Sequence, residues 1–198
     1  MPYHAHAFVD GAYLRERARD ARLPWVSPHS LASSVVVSPV VQGWGAAYPS
    51  GLHTALTRVV YYDARPDADA DVDPNLADYW KAIELQPDTE LGFGSLRGGN
   101  RRRLRQKGVD TLIAVDMLVG AFTKLFQIAV LVTGDADFVP VLNEVRRRGV
   151  MVVLAAVEDA ALSLDLRRAA DRFVRIEPKA GSGTFPELQI EGRTWRSK

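Results

Sequence analysis

The stretch IAVLVTGDADFVP, residues 128–140, decides the fold class of this 198-residue chain. Its first five residues are all apolar, and three are β-branched, which is typical of a strand buried on both faces. A Thr-Gly pair ends that strand, and Asp135 and Asp137 follow directly. The pattern then becomes helical as far as Arg148. The stretch therefore predicts a buried strand, a polar turn and a helix.

The same alternation of strand and helix extends to both sides of this unit. Apolar stretches rich in β-branched residues predict strands, and stretches with apolar residues at helical spacing predict helices. The further predicted strands are residues 4–9, 58–62, 90–96 (an edge strand), 150–157 and 173–176, and the further helices are 12–22, 74–85, 110–126 and 160–172. Such alternation predicts an α/β fold, with a parallel sheet covered by helices on both faces.

The length predicts one domain over residues 1–177 and a C-terminal tail over 178–198, since a domain holds about 100–200 residues. Residues 23–57 contain no Asp, Glu, Lys or Arg, and they are predicted to be an insertion. Ser27 and Pro28 suit a helix cap and a first helical turn. One short helix ending near Val36 is therefore expected inside this insertion.

The insertion is rich in apolar side chains, among them Trp25, Val35, Val36 and Trp44. An exposed apolar patch favours association, and closed twofold dimers are the commonest soluble oligomers. A homodimer is therefore one expectation. The alternative is that the insertion folds back over its own sheet.

Composition excludes several kinds of site. The chain has no cysteine, so it forms no disulfide and no thiolate metal site, and any metal is held by oxygen or imidazole. No run of about 18 apolar residues is present that would span a membrane. No basic start followed by a long apolar run marks a secretory signal. A cytoplasmic location without membrane attachment is the resulting expectation.

Aspartates follow two of the predicted strands, at the point where each strand ends. Asp10 ends the first strand, and Asp135 and Asp137 follow the strand over 128–132. In a parallel sheet, ligands bind outside the carboxyl ends of the strands. Asp116 joins this set because it interrupts an apolar helix, where an unpaired carboxylate is costly to bury. Clustered carboxylates stay ionised only when a positive charge lies among them, and Mg²⁺ or Mn²⁺ suits oxygen ligands.

This set of carboxylates predicts phosphodiester hydrolysis. A divalent metal polarises a phosphoryl oxygen and makes water a stronger nucleophile. A phosphatase that uses an aspartyl nucleophile is a further possibility, but that chemistry requires an Asp-x-Asp pair at the first strand. Here the corresponding residues are Asp10 and Ala12, which argues against it.

Charge is distributed unevenly in the middle of the chain. Residues 63–90 hold nine acidic residues, whereas residues 97–107 hold six basic residues and no acidic one. Since the basic run directly precedes the helix of Asp116, it could deliver a phosphate backbone to the metal. The alternative is a solvated loop. The residues predicted to bind RNA are Arg101, Arg102, Arg103, Arg105 and Lys107.

Four stretches resemble the NYN domain, a branch of the PIN-like nucleases. They are FVDGAYL (8–14), KGVD (107–110), AVDML (114–118) and TGDADFVP (133–140), and the resemblance extends from about residue 7 to residue 176. It implies a Rossmann-like sheet and a metal-dependent ribonuclease. An endonuclease is expected rather than an exonuclease, with single-stranded RNA as the substrate. The matching acidic positions, expected to be catalytic and to bind the metal, are Asp10, Asp116, Asp135 and Asp137.

Three further residues of these motifs are expected to support the metal ligands. Asp110 matches a hallmark of the family, but it precedes Asp116 by six residues, which is about 240° of helical rotation, so the two cannot share a face. Thr133, which directly precedes Gly134 and Asp135 in the fourth stretch, is also expected to support the metal ligands. Tyr13 stands where many members carry Asn, and it cannot act as a compact amide. Tyr13 therefore favours the alternative function, an RNA-binding or scaffold module that does not cleave.

Overall fold

A computed structural model describes the chain over residues 2–20, 26–38, 41, 54–66, 72–97, 105–156, 162–176, 188–190 and 193–195. Strands and helices alternate along most of this part of the chain. The strands are β1 (Tyr3–Asp10), β2 (Thr54–Pro66), β3 (Thr89–Arg97), β4 (Arg105–Lys107), β5 (Ile128–Val132), β6 (Met151–Ala156), β7 (Arg172–Arg175), β8 (Leu188–Ile190) and β9 (Arg193–Trp195). The helices are α1 (Gly11–Asp20), α2 (Pro28–Val36), α3 (Pro74–Glu84), α4 (Val109–Phe122), α5 (Val139–Arg147) and α6 (Leu164–Ala169).

Seven strands form one sheet in the order β4-β3-β2-β1-β5-β6-β7. Six of them run parallel, and β4 pairs antiparallel to β3. β1 lies between β2 and β5, so the carboxyl ends of these three strands meet at one edge of the sheet. The predicted α/β fold with a Rossmann-like sheet is confirmed.

Helices cover both faces of the sheet, which removes the apolar side chains of the strands from water. On one face, Leu14 of α1, Leu31 of α2 and Ile83 of α3 belong to the same buried cluster. On the other face, Ile113 of α4 and Leu142 of α5 are buried together with residues of α6. Every residue of β5 and β6 is buried, which explains why these strands are apolar without alternation.

The predicted helix inside the uncharged insertion is present as α2. The Ser27 hydroxyl accepts a hydrogen bond from the backbone N–H of Ser30, and proline occupies the first turn. Val35, Val36 and Val41 are buried against the same chain's sheet rather than exposed. The described part of the insertion therefore folds back over its own sheet, and these valines are not available to a dimer.

The two tryptophans of the insertion, Trp25 and Trp44, lie outside the described residues. The same is true of Arg101, Arg102 and Arg103 in the predicted RNA-binding run. A homodimer through the remainder of the insertion stays a prediction.

Three of the differences from the predicted elements have a clear physical reason. β2 continues to Pro66, past the predicted end at residue 62, because the carboxylate of Asp63 has buried partners. β3 is not an edge strand, because β4 pairs with it on its outer side. α6 ends at Ala169, and Arg172 begins β7 instead of ending the helix, because the backbone there pairs with Val153 of β6.

A buried ion pair attaches two helices to the end of β2. The carboxylate of Asp63, whose side chain is 1% exposed, accepts hydrogen bonds from both terminal nitrogens of Arg15 in α1. It also accepts a 2.7 Å bond from the indole Nε1 of Trp80 in α3. Arg15 in turn donates to the hydroxyl of Tyr61 at 2.9 Å. One carboxylate thus fixes α1 and α3 relative to the sheet.

We predict that Asp63→Ala lowers the free energy of unfolding by about 3 kcal/mol, because it leaves a partly buried guanidinium and a buried indole N–H without their acceptor. The matched control is Asp20→Ala in the same helix, α1. Asp20 is 55% exposed and lies 3.5 Å from Arg17, and removing such a surface pair changes stability by less than about 1 kcal/mol. Urea denaturation measures both variants. Equal, small losses would show that the buried pair does not hold α1.

Candidate functional site

Asp10 connects the end of β1 to the start of α1 and to the residue that follows β5. Its Oδ1 accepts a 3.1 Å hydrogen bond from the backbone N–H of Tyr13, in the first turn of α1. Its Oδ2 accepts a 3.1 Å bond from the hydroxyl of Thr133, directly after β5. Asp10 is largely buried, so these two bonds fix the orientation of its carboxylate.

Gly11 allows α1 to begin immediately after Asp10. A Cβ atom at this position would lie 2.5 Å from the ring of Tyr61 and 2.6 Å from the backbone oxygen of Tyr62. The Tyr61 hydroxyl also donates a 3.2 Å hydrogen bond to the carbonyl of Gly11. Close packing against β2 therefore requires glycine at the position that follows Asp10.

The turn after β5 brings two more aspartates to this edge. The backbone N–H of Asp135 donates to the Thr133 hydroxyl at 3.3 Å, so Thr133 links Asp10 to this turn. The backbone N–H of Asp137 donates to Oδ1 of Asp135 at 2.9 Å, which starts a short 3₁₀ turn. The side chains of Asp135 and Asp137 are exposed and face solvent beside the buried Asp10.

Asp110 contributes a fourth carboxylate from the first turn of α4. The helix begins after Gly108, which has a φ of 87° and gives the chain its turn at this edge. Partial burial raises the pKa of Asp110, and the negative charges of Asp135 and Asp137 raise it further. Asp110 therefore lies within electrostatic range of both residues of the β5 turn.

The pKa of Asp10 is also raised, chiefly by burial, although its hydrogen bonds from Tyr13 and Thr133 act in the opposite direction. The charge of Asp110 is a further cause of this increase. The negative charges of this group are thus not balanced by an adjacent cation among the described residues. Asp10, Asp110, Asp135 and Asp137 are hereafter called the aspartate cluster.

Asp116 has a different neighbour. Its Oδ2 accepts a 2.7 Å hydrogen bond from the hydroxyl of Tyr62, whose pKa is raised by burial and by this bond. The ring of Tyr62 lies over Gly92 of β3, where a Cβ would approach it to 2.6 Å. Asp116 lies six residues, or about 9 Å of helix rise, below Asp110. No interaction found within the described part of the chain joins Asp116 to Asp10, Asp135 or Asp137.

Hydrogen bonds and electrostatic interactions thus connect Asp10, Asp135 and Asp137 with one another and with Asp110, whereas Asp116 bonds to Tyr62. The rotation of 240° places Asp110 and Asp116 on different faces of α4, but it does not indicate which of them faces the carboxyl edge. The direction in which α4 runs from the sheet edge indicates which of its turns lies near the cluster. A helix that returns from the carboxyl edge begins there, so its first turn, and not its second, lies beside the ends of β1 and β5.

Tyr13 covers the turn that follows β5. A Cβ atom on Gly134 would lie 2.7 Å from Cε2 of Tyr13, so the aromatic ring rests directly on this glycine. The guanidinium of Arg17 lies 5.5 Å from the centre of the same ring. The side chain of Tyr13 therefore packs against the motif that supplies Asp135.

Basic residues are present in β2 and β4, on the cluster's side of the sheet. Arg105 and Lys107 belong to β4, which pairs with β3 and leads directly into Gly108 and α4. Sequence reasoning missed Arg65, near the carboxyl end of β2. Its guanidinium lies 4.1 Å from the centre of the Phe93 ring, which holds the positive charge at this edge.

The donor set fits a hard divalent cation. In the described residues, no three Asp, Glu or His side chains are already positioned to hold a metal ion together. Mg²⁺ and similar ions usually take only one or two protein carboxylates and keep several waters. Raised pKa values at Asp10 and Asp110 also indicate a site where added positive charge is favourable.

Comparison with known proteins identifies one family. A family model described as the NYN domain matches residues 7–177. The fold is similar to the crystal structure of a Vibrio parahaemolyticus protein of unknown function, with a TM-score of 0.62 and 18% identity over 89% of this chain and 94% of that one. No curated protein matches the chain significantly. None of the described helices has the length and apolar character needed to cross a membrane.

We predict that Asp110→Asn stabilises the metal-free protein at neutral pH. A raised carboxyl pKa means that the folded state binds its proton more tightly than the unfolded state, so stability falls as pH rises from about 3.8 through the raised pKa. The variant avoids this loss, and its advantage disappears below the unfolded pKa.

Urea denaturation in EDTA at acidic and neutral pH measures the effect. The control is Asp165→Asn on α6, where the carboxylate is 79% exposed and lies 3.6 Å from Arg168. A variant at position 110 that is less stable than wild type at neutral pH would contradict the proposed repulsion.

Proposed function

The chain belongs to the NYN-domain family of PIN-like ribonucleases, and we propose from this premise that it hydrolyses RNA with Mg²⁺ or Mn²⁺ bound at the aspartate cluster. The proposal further specifies an endonuclease that acts on single-stranded RNA. A cytoplasmic location and a homodimer remain predictions from the sequence.

One observation supports this function above the others: four carboxylates from three separate segments share one edge of the sheet, and two of them have raised pKa values. Such crowding is unfavourable unless a cation joins it. We assign Asp10 and Asp110 as the residues that hold the ion, with Asp135 and Asp137 adding charge and contacts to its waters. A divalent ion there would act as a Lewis acid toward the phosphodiester and make water a stronger nucleophile near neutral pH.

The protein's own residues prepare this site. Thr133 and the backbone of Tyr13 each donate to one oxygen of Asp10, so its orientation is set before substrate arrives. Because Asp135 and Asp137 are exposed, they can reach a strand that lies across the edge. Their negative charge repels RNA, and the substrate therefore needs basic contacts to approach.

Those basic contacts are assigned to the run that precedes α4 and to Arg65. A phosphate backbone held by Arg105 and Lys107 would enter next to Asp110, since β4 leads directly into that helix. Contacts of this kind bind RNA regardless of sequence and weaken with salt.

The second candidate function is an RNA-binding or scaffold module that does not cleave. The observation that favours it is the ring of Tyr13 on Gly134, because a bulky aromatic replaces the compact amide found in many members of the family. Such a module would retain the basic contacts and lack turnover.

We predict that Asp110→Asn reduces RNA cleavage by at least about 100-fold, which is the upper end of the loss found even for residues that only support a metal ligand. Asp116→Asn serves as the matched variant on the same helix, and we expect it to keep most of the activity. The substrate is a labelled circular single-stranded RNA, which only an endonuclease can open, incubated with Mn²⁺ or with EDTA.

The outcomes separate the alternatives. Loss of cleavage in Asp116→Asn with full activity in Asp110→Asn would return the metal role to Asp116. Cleavage of linear but not circular RNA would indicate an exonuclease. Binding of RNA without any cleavage in Mn²⁺ would favour the second candidate.

A further inference from the structure

A basic cleft lies at the opposite edge of the sheet from the aspartate cluster. It has a volume of about 680 Å³ and is bounded by the last turns of α5 and by the starts of β6 and β7. Because the strands are parallel, their amino ends mark the edge away from Asp10, at a distance of about 20 Å, the length of a six-residue strand. Three arginines line the cleft: Arg146, Arg147 and Arg172.

Asp171 holds two of these arginines in place. Its Oδ1 accepts a 2.8 Å hydrogen bond from Nε of Arg146, and its backbone oxygen accepts a 2.9 Å bond from Nη1 of Arg172. Its Oδ2 is occupied by the backbone N–H of Val152 at 2.8 Å. Both carboxylate oxygens are therefore used in bonds that fix the walls of the cleft, and the arginines are positioned before any ligand arrives.

The cleft retains positive charge and free donor capacity. A guanidinium carries five N–H donors, and the bonds to Asp171 use one nitrogen each of Arg146 and Arg172. Arg147 is 75% exposed and makes a 3.3 Å contact with Glu144, a surface pair of low strength. Three arginines against one lining carboxylate leave an excess of two positive charges.

A simpler explanation covers only part of this arrangement. Arg146 and Arg147 lie in the last turn of α5, where cations interact favourably with the helix dipole. Arg172 belongs to β7, however, and no helix end explains its place. Its side chain is instead oriented by the local bond to the backbone oxygen of Asp171.

We propose that this cleft binds a phosphate group, carried by an RNA strand or by a free nucleotide. Arginine presents paired donors that match phosphate oxygens, and preorganised side chains lose little entropy on binding. The cleft volume is within the range of roughly 300–1,000 Å³ found for small-ligand sites. This inference goes beyond the proposed ribonuclease activity and does not depend on it, because it needs neither the metal nor the aspartate cluster.

The proposal is tested by measuring NMR chemical shifts of backbone amides during a titration in EDTA. Phosphate replaces chloride, so that the ionic strength stays constant. The probes are inorganic phosphate, uridine monophosphate and a short oligouridylate. We expect saturable shifts at Gly149, Val150 and Met151, while the amide of Gly134 stays unchanged with inorganic phosphate.

Arg147→Glu is expected to weaken binding at least tenfold, in line with the loss of a charge-assisted hydrogen bond. The matched control is Arg168→Glu, an equal charge change on α6 at a side chain that is 76% exposed and does not line the cleft. A second variant, Arg146→Lys, retains the charge and removes the planar fork, and it should also bind more weakly.

Two results would support the proposal and identify the source of the phosphate. Tenfold tighter binding of the oligouridylate than of the mononucleotide indicates an RNA strand, and equal binding indicates a free nucleotide. Absence of saturable shifts at residues 149–151, or equal weakening in Arg147→Glu and Arg168→Glu, would overturn it. Since the titration contains no metal, its failure would leave the ribonuclease proposal intact.

Discussion

Parallel pairing of β1 with both β2 and β5 is the constraint on which the rest of the structure depends. In this register Asp10 lies beside Tyr62, and Val9 lies beside Val132. The ends of three strands therefore reach one level of the sheet, and the residue that follows β5, Thr133, meets Asp10 directly. Shifting either pairing by one residue would turn Asp10 to the other face and separate it from this partner.

Two buried aspartates at this edge differ in how their negative charge is compensated. Asp63 is compensated within the protein, by the guanidinium of Arg15 and the indole of Trp80. Asp10 receives only neutral donors and has a raised pKa, with Asp110 adding like charge. The first arrangement attaches helices to the sheet. The second leaves an uncompensated negative charge, which is the condition that favours a cation from solution.

The sequence predicted what depends on local pattern and could not predict what depends on distant partners. The fully apolar β5 and β6 and the capped start of α2 were evident from neighbouring residues. The passage of β2 through Asp63 was not, because its ion partner, Arg15, lies 48 residues away. The hydrogen bond between Asp116 and Tyr62 was likewise not evident, because these two residues lie 54 residues apart.

Anomalous diffraction from crystals grown with Mn²⁺ would locate an ion bound at the aspartate cluster without relying on activity. We expect an anomalous peak in contact with the carboxylates of Asp10 and Asp110, and near Asp135 and Asp137. A peak at Asp116 alone, or no peak at this edge in millimolar Mn²⁺, would contradict this expectation.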